Sequence, residues 1–290
     1  MLFVGNTEYN PTISCFYPSV SYKIGNFTRL MYVSMKIAVF QQDIVWNNPA
    51  ENRRKAAEAI RKAPGSELYV LPEMFSTGFV TEPEGIAENH CGETLGWMRQ
   101  ISDETGAALA GSVAVADGTR HYNRLYFVSP DGNTVWYDKR HLFTYAGEDK
   151  HYVAGTRRVI TEYGGVRFLL QTCYDLRFPV FSRNCGDYDA VLYVASWPES
   201  RINVWETLLR ARAIENQCYV VGVNRTGSDP TCTYGGGSAI IDPRGRTLAA
   251  CKPRTEETVS AEISMESLMA FRKKFPVLDD SDIFEVNLEK

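Results

Sequence analysis

The chain has 290 residues, 44% of them hydrophobic and 23% charged, which suits one large globular domain or two small ones. A formal net charge of -4 gives no reason to expect nucleic acid or an acidic membrane as partner, and no apolar run approaches the roughly 18 residues that would span a bilayer. Cys15, Cys91, Cys173, Cys185, Cys218, Cys232 and Cys251 are odd in number, scattered and without a CxxC pair. That pattern argues against a disulfide framework or a zinc site, and for reduced thiols in a cytoplasm.

Residues 1–34 mix Tyr, Phe, Asn and Ser without a clear period and lack the basic start and apolar core of a signal peptide. Patterned sequence begins at Met35. The expectation is a disordered or non-native extension over 1–34, with Met35 as the biological start, and one domain over 35–290.

In chain order, "KIAVFQQ" (36–42) reads as a strand, and "NNPAENRRKAAEAIRKAPG" as a helix with Asn48 as cap and Pro49 in its first turn. "ELYVLPE" is an apolar strand that stops at Pro72-Glu73. "ETLGWMRQISDETG" is a second helix, closed by Gly106, and "AALAGSVAVA" a strand. "HYNRLYFVSPDGNTVWYDKR" is a hairpin around Pro130-Asp131-Gly132-Asn133. "VRFLLQTC" and "AVLYVASW" are buried strands, with a short helix expected in "FPVFSRNCG" between them. "RINVWETLLRARAIENQ" is the most helical segment, and "CYVVGVNR" the strand after it. A second hairpin turns at Asp242-Pro243-Arg244-Gly245, followed by strand "TVSAEI" and helix "MESLMAFRKKF". Strands alternating with helices, interrupted by two hairpins, predict an α/β protein with mixed rather than purely parallel sheets.

Three strand ends carry chemistry. In "LLQTCYDLRFP" the strand stops at Cys173, where Asp175 and Pro179 force a turn. The carboxyl ends of strands are where open α/β sheets place their ligands. A buried structural cysteine reads equally well there, and a thiol needs a base or a cation beside it to react. Glu73 follows Leu-Pro at the end of another strand, where it could also be a helix-start charge or half of a buried ion pair. Lys139 ends a third strand, where an ordinary surface lysine is the commoner case.

With their flanks these residues resemble a known family. "LPEMFSTGF", "YDKRHLF" and "CYDLRFP" are similar to the three signature blocks of the nitrilase superfamily of carbon–nitrogen hydrolases, and "SWPESRINVWETLLRARAIENQCYVVGVNRTG" resembles the family's long helix and next strand. The likeness runs from about Met35 to the end and is greatest to the omega-amidase branch. It implies an α-β-β-α sandwich, usually a homodimer joined through one helical face. It also implies Cys173 as nucleophile, Glu73 as general base and Lys139 as third catalytic residue. A second glutamate belongs in the loop after the lysine block, where Glu148 lies seven before Gly155, next to the shorter Asp149.

The implied reaction is hydrolysis of omega-monoamides of short dicarboxylates, of the 2-oxoglutaramate or succinamate type, through a cysteine thioester with no metal or organic cofactor. Lys139 and the Tyr174 N–H are the candidate oxyanion donors, and Glu148 would orient Lys139 or the substrate amide. A nitrilase or N-carbamoyl hydrolase would use the same Glu-Lys-Cys residues. A non-catalytic scaffold subunit is the reading from another class, against which the intact three residues argue.

The substrate-binding candidates are Arg177, Trp197 and Phe143. Arg177 could fork a substrate carboxylate or pair with Asp175 or a remote glutamate to shape the turn. Trp197 could wall the pocket or be plain core. Arg140 and His141 are further cations if they face the cleft. Arg212 and Glu215, three apart on the long helix, read as a structural pair. "GGGS" (235–238) lacks the lysine and helix of a phosphate loop, so a flexible strand entry is expected.

Overall fold

The computed structural model describes residues 12–14 and 33–287. The expectation for residues 1–34 falls almost wholly outside them. Within that stretch, Thr12–Ser14 pairs antiparallel with Glu285–Asn287.

In chain order the elements are β1 (Ser34–Gln41), α1 (Pro49–Lys62), β2 (Leu68–Val70), α2 (Glu93–Thr105), β3 (Ala108–Asp117), β4 (Arg120–Val128), β5 (Thr134–Asp138), β6 (Ile160–Tyr163), β7 (Val166–Thr172), β8 (Ala190–Ala195), α3 (Ile202–Asn216), β9 (Tyr219–Asn224), β10 (Ala239–Ile241), β11 (Thr247–Ala250), β12 (Glu257–Ser264) and α4 (Met265–Lys274). Local chemistry sets several ends. The Asn48 side chain accepts the Glu51 N–H at 3.2 Å at the start of α1. Gly106, at φ 65°, closes α2 in the left-handed region.

The strands form two mixed sheets. The first runs β12-β1-β2-β3-β4-β5 and the second β11-β10-β9-β8-β7-β6. Each has a parallel centre, β1–β2–β3 in one and β7–β8–β9 in the other, with antiparallel strands outside. Ile37 and Val39 of β1 pack with Leu170, Leu192 and Val221 between the sheets. The alternate residues Ala38 and Phe40 pack against Ala56 and Ile60 of α1 and Met98 of α2. On the far side, Trp205, Leu209 and Ala213 of α3 cover β7, β8 and β9. The layers are therefore helix, sheet, sheet, helix. Because the central strands are covered on both faces, they read as continuous apolar runs rather than alternating ones.

Three expectations need correction. No helix forms in "FPVFSRNCG": a five-residue 3-10 turn occupies Cys173–Arg177 instead, and Phe178 is at ψ 85°. The residue before a proline is pushed out of the helical region, and Pro179 does that here. "GGGS" is no flexible entry, because Gly235, Gly236 and Ser238 are buried, and a Cβ on Gly236 would lie 2.2 Å from the Gln41 side chain. Cys185 is disulfide-bonded, which a reading of all the thiols as reduced did not foresee; Cys91, Cys173, Cys218, Cys232 and Cys251 are free. Strand β6 was not anticipated. Among the described residues no helix is long and apolar enough to cross a membrane.

Candidate active site

The carboxyl ends of the parallel strands β2, β7 and β8 deliver Glu73, Cys173 and Ser196 to one place between the sheets. After β2 the chain turns at Met74, whose φ of 44° is unusual for a residue with a side chain. The turn is held by Ser112 of β3, whose hydroxyl accepts the Met74 N–H at 2.9 Å and whose carbonyl accepts the Phe75 N–H at 3.1 Å. Cys173, at φ 47°, makes the same kind of turn after β7. Two left-handed non-glycine residues at the ends of facing strands mark backbone strain held in place by surrounding contacts.

Lys139 follows β5 and is wholly buried, so it is not a surface lysine. Its N–H donates to Asn123 O and its carbonyl accepts the Gly155 N–H, both at 2.9 Å. Gly155 has to be glycine, because a Cβ there would lie 2.0 Å from the Asp138 carbonyl oxygen. The loop pinned between Lys139 and Gly155 contains the 3-10 turn Glu148–Lys150 and carries Glu148 inward.

Glu73, Lys139 and Glu148 are each 0% exposed and meet directly. Lys139 Nζ donates to Glu73 Oε1 at 2.9 Å and to Glu148 Oε1 and Oε2 at 3.1 and 2.8 Å. Asn123 Nδ2 donates to Glu73 Oε1 at 2.7 Å and Glu148 Oε1 at 3.1 Å. The remaining carboxylate oxygens take backbone donors, Ser196 N–H to Glu73 Oε2 at 2.9 Å and Phe143 N–H to Glu148 Oε2 at 2.6 Å. The Cys173 thiol feels the charge of the nearby Glu73 carboxylate.

Burial pushes the Cys173 thiol well above its usual range and the Glu73 charge adds to this, with Lys139 opposing. The resting sulfur is therefore a thiol at neutral pH, and it becomes nucleophilic only when its proton leaves. Burial alone would favour a neutral Lys139, but the charges of Glu148 and Glu73 outweigh it and hold the ammonium above its ordinary value. Burial and the neighbouring Glu73 raise Glu148, against the pull of Lys139. No cluster of three or more potential metal-ligating side chains occurs among the described residues.

Cys173 opens onto a cavity of about 670 Å3 whose wall includes Phe143, Tyr174, Arg177, Trp197 and Arg201. Trp197 is both wall and core: only 3% exposed, it packs on Trp205 at 5.5 Å. The Phe143 ring meets Tyr174 edge-on at 5.0 Å. Tyr174 is the second residue of the 3-10 turn, where backbone N–H groups have no partner within the turn.

Arg177 does not pair with Asp175. That carboxylate is taken by the Tyr137 hydroxyl at 2.8 Å, the Thr172 N–H at 2.9 Å, and the His141 N–H and Nδ1 at 3.0 and 2.8 Å. Arg177 lies instead over the Trp197 ring at 5.1 Å. His141 is therefore tied to Asp175, while the Arg140 guanidinium donates to Gly155 O, so neither side chain joins the cavity wall. Arg212 pairs with Glu215 at 2.9 Å as expected, and also donates to Leu176 O in the nucleophile turn at 2.5 Å. Sequence reasoning missed Asn123, Ser196 and Arg201. For Asn123 a signal existed: it shares a strand face with Leu125 and Phe127 and so had to point inward. Ser196 holds Glu73 through its backbone N–H to Oε2 and its hydroxyl to the Glu73 carbonyl at 3.2 Å, and a serine after a strand gives no signal of that.

Residues 36–273 match the family model for carbon–nitrogen hydrolases. The chain is 45% identical over 254 residues to the omega-amidase YafV of Yersinia enterocolitica, covering 87% of this chain and 98% of that protein. It is 37% identical over 250 residues to the 2-oxoglutaramate amidase of Bacillus subtilis, covering 84% and 96%. Among solved structures, XC1258 of Xanthomonas campestris, a CN-hydrolase superfamily protein with an arsenic adduct in its active site, superimposes with a TM-score of 0.84 at 41% identity, covering 87% and 98% of the two chains. The chain belongs to the carbon–nitrogen hydrolase family, the nitrilase superfamily.

Proposed function

We propose that this amidase hydrolyses omega-monoamides of short dicarboxylates, and that Cys173, Glu73, Lys139 and Glu148 carry the reaction. The observation that carries the reading is a buried thiol under the influence of the Glu73 carboxylate and opening onto a cavity with two arginines in its wall. The names of the relatives, omega-amidase and 2-oxoglutaramate amidase, support the substrate class.

Glu73 takes the thiol proton as sulfur bonds to the amide carbonyl carbon. The oxyanion that forms is met by the Lys139 ammonium and the Tyr174 N–H, donors already in place. Glu73 returns its proton to the nitrogen, the C–N bond breaks and ammonia leaves a thioester. Water then gives a proton to Glu73 and its oxygen to the acyl carbon; the acid departs and the thiol is restored. Glu148 keeps Lys139 in place, since both its oxygens bond the ammonium.

The homodimer and the cytoplasmic setting belong to the same proposal. Sedimentation and cell fractionation test them; the free thiols favour a reducing compartment and the bonded Cys185 does not.

The test is ammonia release from succinamate and from a nitrile of matched length, with wild type and Cys173→Ala. The amide should be favoured, and the variant should lose at least about 10,000-fold while remaining folded. Preference for the nitrile would favour a nitrilase on the same residues. Turnover by the folded variant would remove Cys173 as nucleophile.

A further inference from the structure

The described arginines fall into two groups. Most donate to a carboxylate or a carbonyl, as Arg124, Arg158, Arg167, Arg212 and Arg272 do. Arg120, Arg157, Arg177, Arg201 and Arg244 show no ion pair and no side-chain hydrogen bond. Of these, Arg120, Arg157 and Arg244 are exposed, so water satisfies them; Arg177 and Arg201 are half-buried. Both of the half-buried ones are in the wall of the Cys173 cavity. A partly desolvated guanidinium without a counter-ion has lost hydration and regained little from protein, which is costly unless a ligand completes it.

Both groups are also held in place. Arg201 lies 5.4 Å from the Phe143 ring and 6.0 Å from Tyr145. Trp197 organises the pair. Its ring carries Arg177, and its Nε1 donates to the Arg201 carbonyl at 2.9 Å. The Trp197 backbone is in turn locked by Asn224, whose side chain accepts its N–H at 2.7 Å and donates to its carbonyl at 3.0 Å. Aromatic faces fix each guanidinium plane and leave the N–H edges open, so little freedom remains to be lost when an anion binds. The cavity wall does contain one carboxylate, Glu82, but it is exposed and bonds neither arginine.

We propose that Arg201, with Arg177 as second donor, is the subsite for the carboxylate at the substrate end remote from the reacting amide, and that Arg201 decides between acidic and neutral amides. This rests on the omega-amidase reading above. A planar carboxylate accepts two parallel N–H bonds from a guanidinium fork, a geometry that a neutral methyl or hydroxyl end cannot match. Without that carboxylate the fork stays unpaired against an apolar group, and turnover falls.

The experiment measures kcat/KM for succinamate and for butyramide, substrates of equal chain length, with wild type, Arg201→Met, Arg201→Gln and Arg177→Met. The readout is the ratio of the two values, because damage to the fold or to the thiol lowers both together. In wild type the ratio should favour succinamate strongly. It should fall by about 100-fold in both Arg201 variants and by roughly 10-fold in Arg177→Met. A wild-type preference for succinamate that persists within about 3-fold in the Arg201 variants overturns this subsite and leaves the omega-amidase reading standing. A wild type indifferent to the carboxylate overturns that reading and this inference together.

Discussion

Glu73, Lys139 and Glu148 form one wholly buried charged cluster, and Arg167 and Arg272, both partly exposed, form another around the buried Asp189 with the ratio of charges reversed. In the first, two carboxylates share one ammonium, all at 0% exposure. In the second, two guanidinium groups share one carboxylate, with Arg167 donating to Asp189 at 2.8 and 2.9 Å and Arg272 at 3.0 Å. Burial would raise the Asp189 carboxyl, but the hydrogen bonds and charges of Arg167, with the charge of Arg272, win and hold it below its ordinary value. Glu148 moves the opposite way, because a second carboxylate adds to burial and only one cation opposes them. The same desolvation therefore produces a locked anion in one place and a poised carboxyl in the other, and the number of cations decides which.

Removing the cation from each cluster, or the anion, breaks this comparison most directly. Lys139→Met should lower kcat/KM for succinamate by at least about 1,000-fold, since the oxyanion loses its only charged donor. It also leaves two buried carboxylates without an ammonium, so their folded-state pKa values rise above the unfolded ones. A carboxyl raised in this way destabilises the ionised form, so the variant's Tm should drop increasingly as pH rises from 5 to 8. A Tm deficit independent of pH would show that the ammonium does not hold the two charges together.

Asp189→Asn should leave turnover unchanged within about 2-fold but cost about 3 kcal/mol, because a buried anion leaves two guanidinium groups behind. For a chain of this size that is roughly 6 to 12 °C in Tm. The pH dependence has the opposite sign. A depressed carboxyl stabilises the fold above its unfolded pKa, and that contribution is lost as pH falls through the folded value, below 3.8. The difference between wild type and variant should therefore be full at neutral pH and shrink in acid. A difference that grows in acid would mean that Asp189 is already protonated in the fold.

The smallest effect concerns the thiol. With Cys173 pushed up by burial and by Glu73, its alkylation by iodoacetamide should keep accelerating through pH 9. A plateau below pH 8 would reveal a stored thiolate beside Lys139, and a centre closer to an ion pair than to a poised acid.

Much of the scaffold was legible along the chain. Asn48-Pro49 and Gly106 act on their own helix ends, and Pro130-Asp131-Gly132-Asn133 closes β4 onto β5, because capping and turn geometry depend on residues a few positions apart. The helix expected at 178–186 failed for a local reason as well, the proline at 179. Strand β6 escaped because "ITEY" is four residues long with only Thr161 buried, too short for a period to show. In the site, Glu73, Cys173 and Lys139 stood out as polar residues ending apolar strands. Asn123 was hidden within a strand, and Arg201 at the start of the long helix looked like any helical arginine.

By itself the sequence determined most of the strands and helices, which residue types sit at the strand ends, and, through three blocks with their flanks, the family. Those properties follow from backbone sterics and side chains acting over a few neighbouring positions. Only the tertiary structure decided that Lys139 reaches Glu73, 66 residues away in the chain, that neither touches water, and that Asn123 bridges both glutamates. It also decided which arginines are satisfied and which two remain open in the cavity. Charge, desolvation and hydrogen bonding depend on distance through space. A lysine in "YDKRHLF" is the same letter on a surface or in a core, and only the packing of the two sheets settles which.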